Sequence, residues 1–120
     1  MATVNPTIRF IGNDTVVFTW VLTNVDNDGA PVGPNHADYA DRAVQMFGTF
    51  GGAAVAIQGS NDDGTTWFTV DDPQGVDLSL SAAGGKAVSE ITERMRPLLT
   101  GGAASSVTVA MTCRRQRSYT

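Results

Sequence analysis

Along most of this chain apolar residues recur at every second position, in short runs separated by Gly- and Asn/Asp-rich clusters, a period that predicts strands rather than helices. Residues 7–11 (Thr-Ile-Arg-Phe-Ile) alternate and predict a first strand, closed by the turn cluster Gly12-Asn13-Asp14. Residues 15–23 (Thr-Val-Val-Phe-Thr-Trp-Val-Leu-Thr) are rich in β-branched and aromatic side chains and nearly continuous in apolar character, as in a strand covered on both sides or lying at an interface. Further strands are predicted over residues 44–50, 53–59, 67–70 and 76–80, and a last one over 105–113, where Val107, Val109, Met111 and Cys113 share a face. The pieces at 53–59 and 67–70 flank the turn Ser60-Asn61-Asp62-Asp63-Gly64-Thr65-Thr66 and predict a hairpin with a longer than two-residue loop. Gly51-Gly52, Asp71-Asp72-Pro73-Gln74-Gly75, Gly84-Gly85 and Gly101-Gly102 punctuate the remainder.

Two segments break the pattern. Residues 24–41 hold prolines, glycines and a high density of Asn and Asp, which predicts one long loop, with a single helical turn accommodated over 37–43. Residues 87–99 tolerate a helix by propensity, but the β context favours extended chain, and Pro97 restricts the last part to an edge or an irregular stretch. Together these elements predict an all-β, single-domain antiparallel β-sandwich of jelly-roll-like topology over residues 1–120, with about eight strands and one long loop. Residues 1–11 are expected to be a contact arm plus the first strand, and residues 114–120 a basic tail.

Composition narrows the function classes. The 42% of apolar residues suffices for a genuine core in a chain of 120 residues. The net charge of −4, with acids gathered in loops, argues against a protein that coats nucleic acid, so direct nucleic-acid binding is not expected. Arg114, Arg115 and Arg117 are the exception, a basic cluster for which a solvated chain end is the preferred reading and contact with nucleic acid or an acidic protein face the alternative. Cys113 is the only cysteine and allows no intrachain disulfide, which fits synthesis in a reducing cytoplasm. The start of the chain lacks the basic and apolar regions of a secretory leader, and no run approaches the ~20 apolar residues of a membrane helix.

Candidate chemistry is sparse. His36 is the only histidine; a nucleophilic pair with Cys113 requires the two to meet in space, and Cys113 falls on the apolar face of a strand. One His and one Cys cannot close a zinc site. Asn24-Val25-Asp26-Asn27-Asp28-Gly29 matches the opening half of a calcium loop, but Asn35 stands where its bidentate Glu belongs, and a polar turn accounts for the same residues. The paired glycines fit no phosphate-binding pattern. Trp67, after a polar loop, is either a sugar-stacking aromatic or the core anchor of its hairpin, and the anchor is preferred; Trp20 is expected to be buried. No catalytic residue, metal or cofactor is assigned, and the chain is expected not to be an enzyme.

The passage Gly48 to Val70, with Gly51-Gly52-Ala53-Ala54-Val55-Ala56-Ile57-Gln58-Gly59-Ser60-Asn61-Asp62-Asp63-Gly64-Thr65-Thr66-Trp67 at its heart, resembles one found in small structural proteins of tailed-bacteriophage virions. Asp72-Pro73-Gln74-Gly75 and Arg96-Pro97-Leu98-Leu99-Thr100-Gly101-Gly102-Ala103 extend the likeness over roughly the second half of the chain, and it is most like that of capsid decoration (cement) proteins. Residues 59–67 are also similar to a hairpin of discoidin-like carbohydrate- and lipid-binding modules, which are longer and begin with signature segments absent here. The phage resemblance implies a non-enzymatic protein made in the host bacterial cytoplasm and located on the capsid surface of the virion. Its partner would be the major capsid protein. Self-association into a dimer or trimer is expected because sandwich edges need cover. A tail or neck position in the virion is one alternative, and a carbohydrate-binding module using Trp67 and the loop at Asp62 and Asp63 is another. The expected contacts are Thr3, Val4, Asn5, Pro6, Thr7 and Arg9 at the start, Asp26, Asp28, Pro31, Pro34, His36 and Tyr39 in the long loop, and Arg114, Arg115 and Arg117 in the tail.

Overall fold

The computed structural model describes residues 3–12, 14–33, 41–89 and 92–114. Its long strands are β3 (Thr15–Thr23), β5 (Asp41–Thr49), β6 (Ala53–Ser60), β10 (Arg94–Gly101) and β11 (Ser106–Arg114). Between and before them lie β1 (Thr3–Val4), β2 (Thr7–Ile11), β4 (Asp28–Gly29), β7 (Phe68–Thr69), β8 (Ser79–Leu80) and β9 (Gly84–Val88). One sheet has the order β2-β3-β11-β5-β9; the other runs β1-β4-β10-β6-β7, with β8 also on β6. Every pairing between strands is antiparallel except that of β1 with β4. From β3 onward the chain follows the double-sheet jelly-roll arrangement, with β7 and β8 sharing one place, and β1 and β2 add a strand to each sheet. The expected all-β jelly-roll-like sandwich is therefore the observed one; the additional strands are the two-residue β1 and β4, too short to leave a periodic signal, and β9, which opens on the paired glycines Gly84-Gly85.

Alternation explains the core. On β3, Val16, Phe18, Trp20 and Leu22 are buried; on β11 the same holds for Val107, Val109, Met111 and Cys113, and on β5 for Val44 and Met46. They meet Ala53, Val55 and Ile57 of β6 and Met95 and Leu99 of β10 in a single cluster. The indole N–H of fully buried Trp20 donates to the carbonyl of Ala30 at 3.1 Å, so its one polar atom ties β3 to the chain just beyond β4. Trp20 is thus buried as the sequence suggests, while on the outer side of the same strand Val21 is half exposed.

Four expectations are corrected. First, the helical turn over 37–43 does not extend to its last residues. Asp41, Arg42 and Ala43 open β5 in register with Arg114, Cys113 and Thr112, because alternate burial of Arg42, Val44 and Met46 satisfies the two-residue period; residues 37–40 lie outside the described residues. Second, the early part of the long loop is sheet. Asp28 and Gly29 pair with β1 and β10, and Val32 exchanges both backbone hydrogen bonds with Met95. Third, Gly84-Gly85 starts β9 instead of breaking the chain, and β9 and β10 belong to opposite sheets.

Fourth, Pro97 sits inside β10, flanked by β4 and β6, rather than on an edge. Met95 and Leu99, which share its parity, donate their N–H groups to Val32 and Asn27 on the β4 side. Pro97 therefore lacks its donor on the side where the neighbouring strand is only two residues long. Gly29 makes the position possible, since a Cβ there would lie 2.5 Å from Pro97 Cδ.

Acidic side chains pin two of the turns. Buried Asp72 accepts from the backbone N–H groups of Gln74 (2.9 Å) and Val76 (3.1 Å) and from Lys86 Nζ of β9 (2.8 Å). Asp62 Oδ1 accepts from Thr66 N–H and from the Ser60 hydroxyl, both at 2.8 Å. The Lys86 hydrogen bond, followed by that of Val76, holds the Asp72 carboxyl below its ordinary value. The Thr66 backbone bond, then Ser60, lowers that of Asp62 to about 2.

Replacing Gly29 with Ala is expected to cost about 1–3 kcal/mol through overpacking against the Pro97 ring. Pro97→Ala in the same chain should recover most of that loss, a coupling that a double-mutant cycle in urea reads directly. Because both carboxyls titrate lower folded than unfolded, their stabilisation is complete above the unfolded value of 3.8 and is lost as the pH falls below it through each folded value, which for Asp62 is about 2. Thermal melts across that window should show the native Tm falling steeply. Asp72→Asn should start lower at neutral pH and fall less.

Candidate interaction surfaces

The outward face of the second sheet carries its most concentrated polar chemistry. Alternation on β10 turns Arg94 and Arg96 away from the core, and Gln58 on β6 lies directly opposite Arg96. The Arg96 guanidinium stacks 4.2 Å above the Trp67 ring, its Nε donates to Gln58 Oε1 at 2.9 Å, and its Nη1 faces Asp28 at 3.5 Å. Arg94 pairs with Asp63, whose backbone N–H donates to Glu93 Oε1, while Glu93 N–H donates to Asn61. These bonds fix the 60–66 loop onto the start of β10. Asp63 takes a left-handed backbone (φ 61°), as does Gly64 (φ 83°).

Trp67 anchors its hairpin as expected, but on the outer side of the sheet and not between the sheets. Its indole N–H donates to the Gly64 carbonyl at 3.0 Å. A sugar stacking on this ring would find one face covered by Arg96 and the indole donor already engaged.

The expected contact residues fall in different places. Thr3 and Val4 form β1 against Asp28 and Gly29, with the Val4 carbonyl accepting from Ala30 N–H at 2.7 Å. Asn5 and Pro6 carry the chain across to the first sheet, where Thr7 and Arg9 face the outer side of β2. The arm is thus seated along one margin of both sheets of its own domain. Ile8 and Phe10 lie opposite Phe18 and Val16 on the core side, yet they are 48% and 62% exposed, because β2 overhangs the opposing sheet. Asp26 sits in a turn closed by the Thr23 hydroxyl, which accepts its N–H at 2.9 Å. Asp28 faces Arg96, and Pro31 is exposed. Arg114 pairs with Asp41 at 2.9 Å across neighbouring strands. Pro34, His36, Tyr39, Arg115 and Arg117 lie outside the described residues.

Cys113 is buried directly opposite Arg42, and burial pushes its thiol up to about 11, against the pull of the guanidinium. A thiol held neutral in this way is a poor nucleophile. Buried Arg42 is itself lowered by desolvation and donates to the Thr92 carbonyl at 3.3 Å. In the calcium-like stretch, Asn24 Oδ1 accepts from Ser105 N–H at 3.3 Å while Asp28 turns to Arg96, so these oxygens do not converge. Among the described residues, no group of three or more His, Cys, Asp or Glu side chains is placed to hold a metal ion.

One surface was read in the sequence only at residues 15–23, where near-continuous apolar character suggested a covered or interface strand: the outer face of the first sheet. Strand register lines up Val21, Thr108 and Phe47 in one row, Thr19, Ala110 and Gln45 in the next, and Thr23, Ser106 and Thr49 at the end. The signal was present as threonine and alanine where solvent-facing strand positions usually carry charge.

Neither a family model nor a curated protein matches the sequence. Among solved structures, the chain is similar to a cupin domain from Bordetella pertussis Tohama I, with a TM-score of 0.51 and 11% identity over 94% of this chain and 95% of that one. At that identity the likeness shows the fold alone, a double-sheeted β domain of the cupin and jelly-roll kind.

Proposed function

We propose that this chain is a non-enzymatic structural protein of a tailed-phage virion, made in the host cytoplasm, that binds the outer surface of the assembled capsid and stabilises contacts between major capsid subunits. The observation that carries this reading is where the phage-like passages sit. Residues 48–70 and 96–103 supply β6, the 60–66 loop, β7 and most of β10. β6 and β10 pair over their whole lengths, and the loop is bonded to the start of β10 through Asn61 and Asp63. The resembling passages therefore lie side by side in one sheet instead of being scattered over the fold, and this is what supports reading them together. A core filled by large side chains such as Trp20, Phe18, Met46 and Leu99 leaves the surfaces as the natural seat of activity.

The mechanism is linkage: a protein that binds the assembled lattice and not its free subunits stabilises the lattice by its binding free energy. Repetition over a symmetric shell multiplies modest contacts. The contacts proposed for the shell are the margin formed by Thr3, Val4, Asn5, Pro6, Thr7 and Arg9, together with Asp26 and Pro31. The test is to add purified protein to expanded capsids that lack it, then measure bound copies and the capsid melting temperature. Saturable binding in proportion to the shell lattice, with a raised melting temperature, is the expected result. Binding confined to tails or necks, or to glycans, would replace this reading.

A further inference from the structure

We infer that the outer face of the β2-β3-β11-β5-β9 sheet is an interface, and that its occupant is a second copy of this chain packed sheet on sheet across a two-fold axis. Among the described residues, the outward positions of this sheet are Thr, Ser, Ala, Val, Gln, Gly, Ile and Phe, with only Arg9, Asp41 and Arg114 charged. Asp41 and Arg114 neutralise each other at one end of the face, and Arg9 lies on the edge strand. The three rows through Val21, Thr19 and Thr23 contain no charge on β3, β11 or β5. The outward face of the opposite sheet, with Arg94, Arg96 and Asp28, is built differently.

Two arguments select a second copy. A two-fold axis sets a face against itself, so a charged group near the axis meets its own copy and one away from it needs an opposite charge at the matching position; a neutral face meets neither condition, and depletion of charge is the compositional mark of an interface core. Size agrees as well. Nine-residue strands span about 30 Å and five strands lie across about 20–25 Å, so even with shorter outer strands the flat footprint is roughly 600 Å² per copy. Side-chain relief raises the accessible surface above that projection, toward the ~800 Å² per partner of a standard interface. Val21, 50% exposed, and Phe47, 44% exposed, flank Thr108 on the middle strand and supply the largest exposed apolar side chains of β3, β11 and β5 on this face, one row from its end. Two twisted sheets meeting here would align at about −30°, as sandwich layers do.

The experiment uses the protein alone in solution, so its outcome is independent of the capsid reading. Sedimentation equilibrium over the micromolar range should show a reversible monomer–dimer equilibrium for the native chain. Thr108→Lys and Phe47→Lys, each checked for a native-like cooperative melt, should raise the dimer Kd at least ~10-fold, since each buries a charge on a face whose β3, β11 and β5 rows here offer no opposite charge to meet it. Thr108→Val, the near-isosteric apolar change, should lower it, a gain that loss of folding cannot imitate. Phe10→Lys on the overhanging edge strand should leave the Kd unchanged. The inference is overturned by a native chain that stays monomeric or forms a trimer. It is equally overturned by a dimer that Phe10→Lys dissolves and the two face variants do not, which would assign association to edge pairing through β2.

Discussion

The domain depends on the two sheets closing over the inward row of β3. Trp20 is the centre of that row: fully buried, 6.2 Å from Phe18 between ring centroids, and bonded through its indole N–H to the Ala30 carbonyl. That bond reaches from the first sheet to the chain that has just left β4 in the second, so one side chain joins apolar burial to the course of the backbone. The rest of the interior accommodates it, with methionines from three strands, Met46, Met95 and Met111, filling the space among branched residues. Truncation of a buried tryptophan of this kind typically costs about 3–5 kcal/mol, a large share of the stability of a small domain.

Where the sequence alternates, or runs in β-branched and aromatic residues as over 15–23, the fold was legible. β2, β3, β6 and β11 fall where the pattern places them, because a two-residue period with one buried face specifies both strand and facing. The early part of the 24–41 segment and Pro97 were not legible, and for one shared reason. Both involve strand pieces whose sheet membership is decided by a partner distant in sequence: Asp28 and Gly29 acquire strand geometry from β10, and Pro97 is tolerated only because the piece beside it is short and contains Gly29. Local composition records neither fact.

The candidate surfaces divide along the same line. The turn at Asp62 was read correctly, since its residues carry their own turn chemistry, but its Trp67 anchor was expected in the core and lies on the outer side of the sheet. Its stacking under Arg96 and the link between Arg94 and Asp63 depend on the pairing of β10 with β6, which no single segment encodes. The N-terminal residues read as a free arm are seated on their own domain, and what they offer a partner is the overhanging edge of β2 instead of a loose strand.

The place of β11 sets the order of events during synthesis. This strand comes after every other described element, yet it occupies the middle of its sheet, paired with β3 along one side and β5 along the other for its whole length. A ribosome therefore releases β3 and β5 long before the strand that must lie between them exists. Until residue 114 has cleared the exit tunnel, Phe18, Trp20, Leu22 and Met46 have no completed sheet to bury them, and the sandwich has to form late and in a single closing step.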